Sequence, residues 1–186
     1  MHVTVVVTGL EEKQALLVGM AKSFQNFKPE MKSIGAELKT YFGNDVFISH
    51  GEDFPKPWKD LTAATTKYKN ANYPGRDILQ REGDLQAGFF YEHDKTSVYV
   101  SNNSDHFIYH QLGTGVGGNQ GSISLLGGLA RAYSDFGGQG RGRNLPQRQM
   151  IGITPRVRTI VRDIIGEGVR KRIDAANDPN VKVAYA

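Results

Sequence analysis

Eleven of the 22 glycines in this 186-residue chain lie between Gly113 and Gly142. Glycine loses more backbone freedom on ordering than any other residue, so such a run is a poor candidate for helix or sheet core. Structureless segments of this length are uncommon inside a compact domain and are usually functional or disordered. The run starts at Tyr109-His110-Gln111-Leu112-Gly113, where apolar residues cease to recur at helix and strand spacings. The pentapeptide reads as a hinge between a packed body and a mobile arm over 113–142. Inside the arm, Ser122 to Tyr133 has the composition for a short helix or strand.

The body on either side predicts alternating elements. Val3, Val5 and Val7 share one face of a β-branched strand over 2–8. Leu16, Leu17, Met20, Phe24 and Phe27 predict a helix over 11–27. Pro29 suits the first turn of a second helix, with Met31, Ile34, Leu38, Tyr41 and Phe42 as its stripe and Gly43-Asn44 as its stop. Phe54-Pro55-Lys56-Pro57-Trp58 is an extended connector, because proline constrains itself and its predecessor; the lone Trp58 reads as a packing anchor. Lys59 to Asn72 is a short polar helix with Leu61 as its apolar contact, and Tyr73-Pro74-Gly75 a turn. Residues 87–101 predict a β-hairpin with Val98 and Val100 on one face and Tyr99 on the other. His106 to Leu112 is short and helical or irregular, and Leu145 to Ile153 is extended. Thr154-Pro155 starts a final helix, a Thr cap followed by Pro at the first position. Its stripe is Val157, Ile160, Val161, Ile164, Ile165 and Val169, and its opposite face carries Arg156, Arg158, Arg162 and Arg170. Together these give an α+β fold: a small antiparallel sheet with packed helices, a long glycine-rich insertion and a C-terminal amphipathic helix. One domain spans residues 1–174, with a loose tail over 175–186 in which Val181 to Tyr185 can add a strand.

No apolar run approaches the roughly 18 residues needed to span a bilayer, and the N-terminus lacks a signal pattern. Cysteine is absent, which excludes disulfides and thiolate metal sites and fits a reducing cytoplasm. The net charge of +4 is uneven. From Arg131 to Arg172, nine Arg and one Lys face Asp135, Asp163 and Glu167, which is 10 − 3 = +7, leaving −3 elsewhere. That asymmetry suits nucleic acid or an acidic protein neighbour; a solvated helix face plus a basic loop explains it equally.

Motifs of catalysis are thin. Gly113-Thr114-Gly115-Val116-Gly117-Gly118 spells GxGxxG, but a dinucleotide loop must follow a strand and open a βαβ unit. His106 and His110 share a helical face, whereas zinc wants three or four ligands. Asp77, Glu82 and Asp84 cluster in sequence with no distance implied, so acid/base work competes with plain solvated acids. No catalytic, metal or cofactor residues are assigned.

Several short motifs combine in order: Pro57-Trp58, Leu61, Thr65 and Lys67; then Leu79, Gly83 and Leu85; then Tyr109, His110, Gln111 and Gly113; then Pro146, Arg148 and Gly152. The series resembles the phage virion morphogenesis family, the tail-completion proteins of Mu-like and related tailed phages, over roughly residues 30–173. Gln149-Met150 stands where the family usually has Pro-Phe, and the glycine-rich insertion is longer than usual.

The resemblance implies a non-enzymatic structural protein of the virion neck, without cofactor, assembled in the host cytoplasm. Such proteins complete the tail at its head-proximal end and allow head–tail joining. The implied partners are copies of itself in a ring of six, the tail-tube protein and head–tail connector proteins, with DNA in the channel and no membrane. The motif residues then serve packing or interface. Arg141, Arg143, Arg148, Arg156, Arg158 and Arg162 are the candidates for contact with DNA or an acidic partner. The alternative function is a basic module that binds DNA without sequence preference.

Overall fold

The computed structural model describes residues 10–113 and 145–177. The expected strand over 2–8, the glycine-rich arm beyond Gly113 and the end of the C-terminal tail lie outside the described residues. Helix α1 spans Leu10–Ser23 and α2 Lys28–Thr40. A π-helical turn, Tyr41–Asp45, runs straight into α3, Val46–Ile48. Helix α4 is Ala63–Asn72 and α5 Asp84–Ala87. Strands β1, Phe89–His93, and β2, Val98–Asn102, pair antiparallel with Tyr91 opposite Val100. Helix α6 is Phe107–Leu112, and the long α7 is Pro155–Asn177. The α+β expectation holds, with a two-stranded sheet among the described residues.

Helix α2 is the central layer, with the hairpin on one side and α7 on the other. The hairpin approaches so closely that a Cβ on Gly35 would fall 2.2 Å from the Tyr91 ring. Phe47 is fully buried and stands edge-on to Trp58 and Phe89, with ring centroids at 5.3 and 6.3 Å. Ile34, Leu38, Phe42, Met150, Val157 and Ile160 close the core around this aromatic centre. The predicted stripes of α2 and α7 face it, and Tyr99 points outward from the hairpin, 66% exposed.

Four boundaries differ from the sequence expectation. Helix α1 stops at Ser23 rather than 27, because Lys28 N donates to the Asn26 side chain and Phe27 N to Lys95 O, drawing those residues out of the helix. Gly43 does not stop α2. It is buried in the π turn, where a Cβ would lie 3.2 Å from Gln86 O; the helical path ends instead at His50 and Gly51, both with positive φ. Helix α4 begins at Ala63, since Thr62 caps it by accepting from Thr65 N. Helix α7 continues past Asp174 to Asn177, so the first residues of the expected tail are helical.

Helix α7 is pinned at both ends. Val157 N donates to the Thr154 hydroxyl, which also meets Tyr41 Oη at 3.0 Å; Tyr41 in turn donates to Asp53. Burial pushes the Tyr41 phenol up to about 12. Near the other end, Arg172 forms a two-pronged ion pair with Glu30 and donates to Ser23 O and Asn26 O. The Arg172 hydrogen bond holds the Glu30 carboxyl below its usual range. Among the described residues, no helix is long and apolar enough to cross a membrane.

Candidate functional site

The two ends of the glycine-rich segment meet on the body. Gly113 closes α6 with φ +73, and a Cβ there would stand 2.8 Å from Gln147 N and 3.1 Å from Leu145 O. Both the dihedral and the lack of room require glycine. Gly113 and Leu145, which bracket the glycine-rich segment in sequence, therefore stand side by side.

Gln111 builds the seam between these roots. Its Oε1 accepts from Met150 N and Ile151 N at 2.7 and 3.1 Å, and its Nε2 donates to Ile151 O at 2.8 Å. The extended run after the arm thus receives from one carboxamide the partners that a neighbouring strand would supply. Arg148 N donates to His110 O at 2.7 Å, and Gln147 Nε2 to Gln111 O at 3.2 Å. Trp58 reaches in from the other side, with Nε1 donating to Gln149 O at 2.7 Å. The Arg148 guanidinium donates from Nε and Nη2 to Lys59 O at 3.2 and 2.8 Å. Three segments distant in sequence are joined here, mostly through backbone groups.

The electrostatics of the seam are one-sided. Arg148 is 5% exposed and has no ion pair among the described residues. Burial pulls its guanidinium down from the usual value, with Asp60 opposing. Burial, then Arg148 and His106, pull the His110 imidazole down to about 4. It is therefore neutral at pH 7, and its Nδ1 is buried without a hydrogen-bond partner among the described residues.

The remaining motif residues divide into two groups. Leu85 is buried; Leu61 and Leu79 are half-buried against the core. Gly83, at φ 98, precedes α5 as its N-cap. Tyr109 and Pro146 are half-buried in the roots, and Gly152 sits beside Gln149 and Phe54. Thr65 and Lys67, by contrast, are exposed on α4. Of the basic candidates, Arg156, Arg158 and Arg162 are exposed on α7, with Arg162 bridged to Asp163 at 2.9 Å. Arg148 leaves this surface set: it is a buried packing residue whose charge is directed at a backbone carbonyl. Arg141 and Arg143 lie outside the described residues.

Sequence reasoning missed Gln147, Gln149 and the Lys59 carbonyl, and no local signal marks them, since they act through long-range contacts. It found Trp58 and Gln111 through their motifs. Asp77, Glu82 and Asp84 do not form a catalytic group: Asp77 pairs with His50 at 2.9 Å, Glu82 with Arg81 at 3.4 Å, and Asp84 starts α5. Gly113 follows helix α6 rather than a strand, which removes the context a dinucleotide loop needs. His106 is exposed while His110 is half-buried, and no cluster of three or more potential metal ligands occurs among the described residues.

A family model described as the phage virion morphogenesis family matches residues 9–170. No curated protein and no solved structure gives a match. The matched span takes in the central helix, the hairpin, both roots of the seam and most of α7. The chain belongs to the phage virion morphogenesis family.

Proposed function

We propose that this protein is a structural, non-enzymatic subunit of the virion neck that closes the head-proximal end of the tail as a ring and allows the head to join. Family membership gives the coarser role, phage virion assembly. The finer reading rests on the seam: Gly113 and Leu145, which bracket the glycine-rich segment, stand side by side on one internally bonded base. A ring subunit has that need, since it must reach a neighbour while its own body stays folded, and heterologous contacts close into rings. A glycine-rich segment that orders on contact costs entropy, which the new interface offsets. The partners are further copies in a ring of six, the tail-tube protein and head–tail connector proteins.

Deleting Gly115–Gly140 tests this. The expected result is a body that keeps its thermal midpoint while assemblies vanish from sedimentation profiles and electron micrographs. A wild-type protein that stays monomeric and is missing from purified virions overturns the reading. A loss of stability comparable to a core mutation assigns the segment to the core instead.

A second reading, sequence-neutral contact with duplex DNA, is favoured by the exposed Arg156, Arg158, Arg162 and Arg170 of α7. Retention on DNA that falls steeply with salt and with these arginines is its test.

A further inference from the structure

We propose that α4 is the surface by which one copy of the chain docks on the next, its basic side seating against the acidic concavity beside α5. This rests on the ring reading and names a contact within it.

Helix α4 is ten residues long and contains no buried residue. An isolated helix of that length is marginal in water, and helices in proteins are held mainly by packing an apolar face. Such a face exists here. Leu61, Ala64, Tyr68 and Ala71 recur at helical spacing, yet Ala64, Tyr68 and Ala71 are exposed, Tyr68 to 58%. From Thr62 to Arg76 the chain carries Lys67, Lys69 and Arg76 and no acid, a charge of +3. Lys69 ties the helix to the body by donating to Asp77 O. Lys67 and Arg76 are exposed and have no ion pair among the described residues.

The complementary charge lies on the same chain. From Asp84 to Asp105, four acids (Asp84, Glu92, Asp94 and Asp105) face Lys95 alone, which is 1 − 4 = −3. Asp84 and Asp105 line an open, polar concavity of about 470 Å³. Both are exposed, and neither carboxylate has a partner among the described residues. Two unlike, oppositely charged surfaces on one chain make a heterologous contact, in which each copy gives one and receives one. Duplex DNA is the competing occupant of a basic helix. Protein interfaces, however, bury an apolar centre, which the exposed Ala64, Tyr68 and Ala71 supply and a phosphate backbone has no use for.

Charge reversal in the full-length chain is the test. Lys67→Glu with Arg76→Glu, and separately Asp84→Lys with Asp105→Lys, change exposed positions and leave the thermal midpoint of the subunit in place. Each pair is expected to raise the concentration for half-assembly, read by sedimentation velocity, at least about tenfold. Combining all four reversals is expected to restore assembly to within about threefold of wild type. If wild type assembles and both reversed pairs assemble equally well, the α4 contact is wrong and the ring reading stands. If wild type never assembles, the ring reading falls and takes this contact with it. If reversal on α4 spares assembly but abolishes retention on duplex DNA, α4 is a nucleic-acid surface and the proposal is overturned.

Discussion

Lys59, whose carbonyl receives the buried Arg148 guanidinium, stands three residues before Thr62, the cap of α4. On the Lys59 side, the side chains of Trp58, Gln111 and Arg148 are spent on satisfying backbone groups of distant segments. On the Thr62 side, the helix has no buried residue and Lys67 has no ion pair among the described residues. Neighbouring stretches of chain thus differ: the seam is bonded within a single copy, whereas α4 carries the exposed stripe on which the proposed contact between copies rests. A substitution in the seam should cost folding stability, and one on α4 should cost only association.

The largest effect belongs to Trp58. Trp58→Ala removes the ring edge-on to Phe47 and the donor to Gln149 O, and should cost about 3–5 kcal/mol in urea unfolding followed by circular dichroism. Near-wild-type stability would erase the contrast with α4. Next is acid. The folded pKa of His110 is depressed from 6.5 to about 4, so the unfolded chain takes up this proton first as pH falls. The contribution is complete above about pH 6.5 and is lost between there and about pH 4, up to about 3 kcal/mol in all. His110→Gln should flatten that part of the stability–pH curve; an unchanged slope assigns it to other groups. Gln111→Ala leaves Met150 N and Ile151 N without partners and should cost about 2 kcal/mol, with Met150 amide exchange accelerating. Lys67→Gln on α4 should move stability by no more than about 0.5 kcal/mol. A larger loss would mean that α4 has a fixed partner within its own chain.

Much of this contrast was legible in the sequence. The apolar stripes of α2 and α7, the Thr154-Pro155 start and the faces of the hairpin follow from periodicity and capping, which act over a few residues. Trp58 and Gln111 emerged through ordered motifs. The seam's bonding pattern did not, because Arg148 to Lys59 and Trp58 to Gln149 span 89 and 91 positions and end on carbonyls that every residue possesses. Arg148 misled for the same reason: arginine reads as surface charge until a folded chain places a carbonyl in front of it. Gly43 misled because glycine serves close approach as well as helix termination, and only the neighbouring Gln86 carbonyl shows which. The exposure of α4 was half visible, in the polar composition of Lys59 to Asn72, while its uncovered stripe shows only in the folded chain.

The close approach of Gly113 to Leu145 also bears on the connection between them. Two chain positions held side by side can be joined by connections of very different length, since doubling a loop adds only about 0.6 kcal/mol of closure cost. Lengthening or trimming the chain between these two residues should therefore leave the Gln111 contacts to Met150 and Ile151 in place.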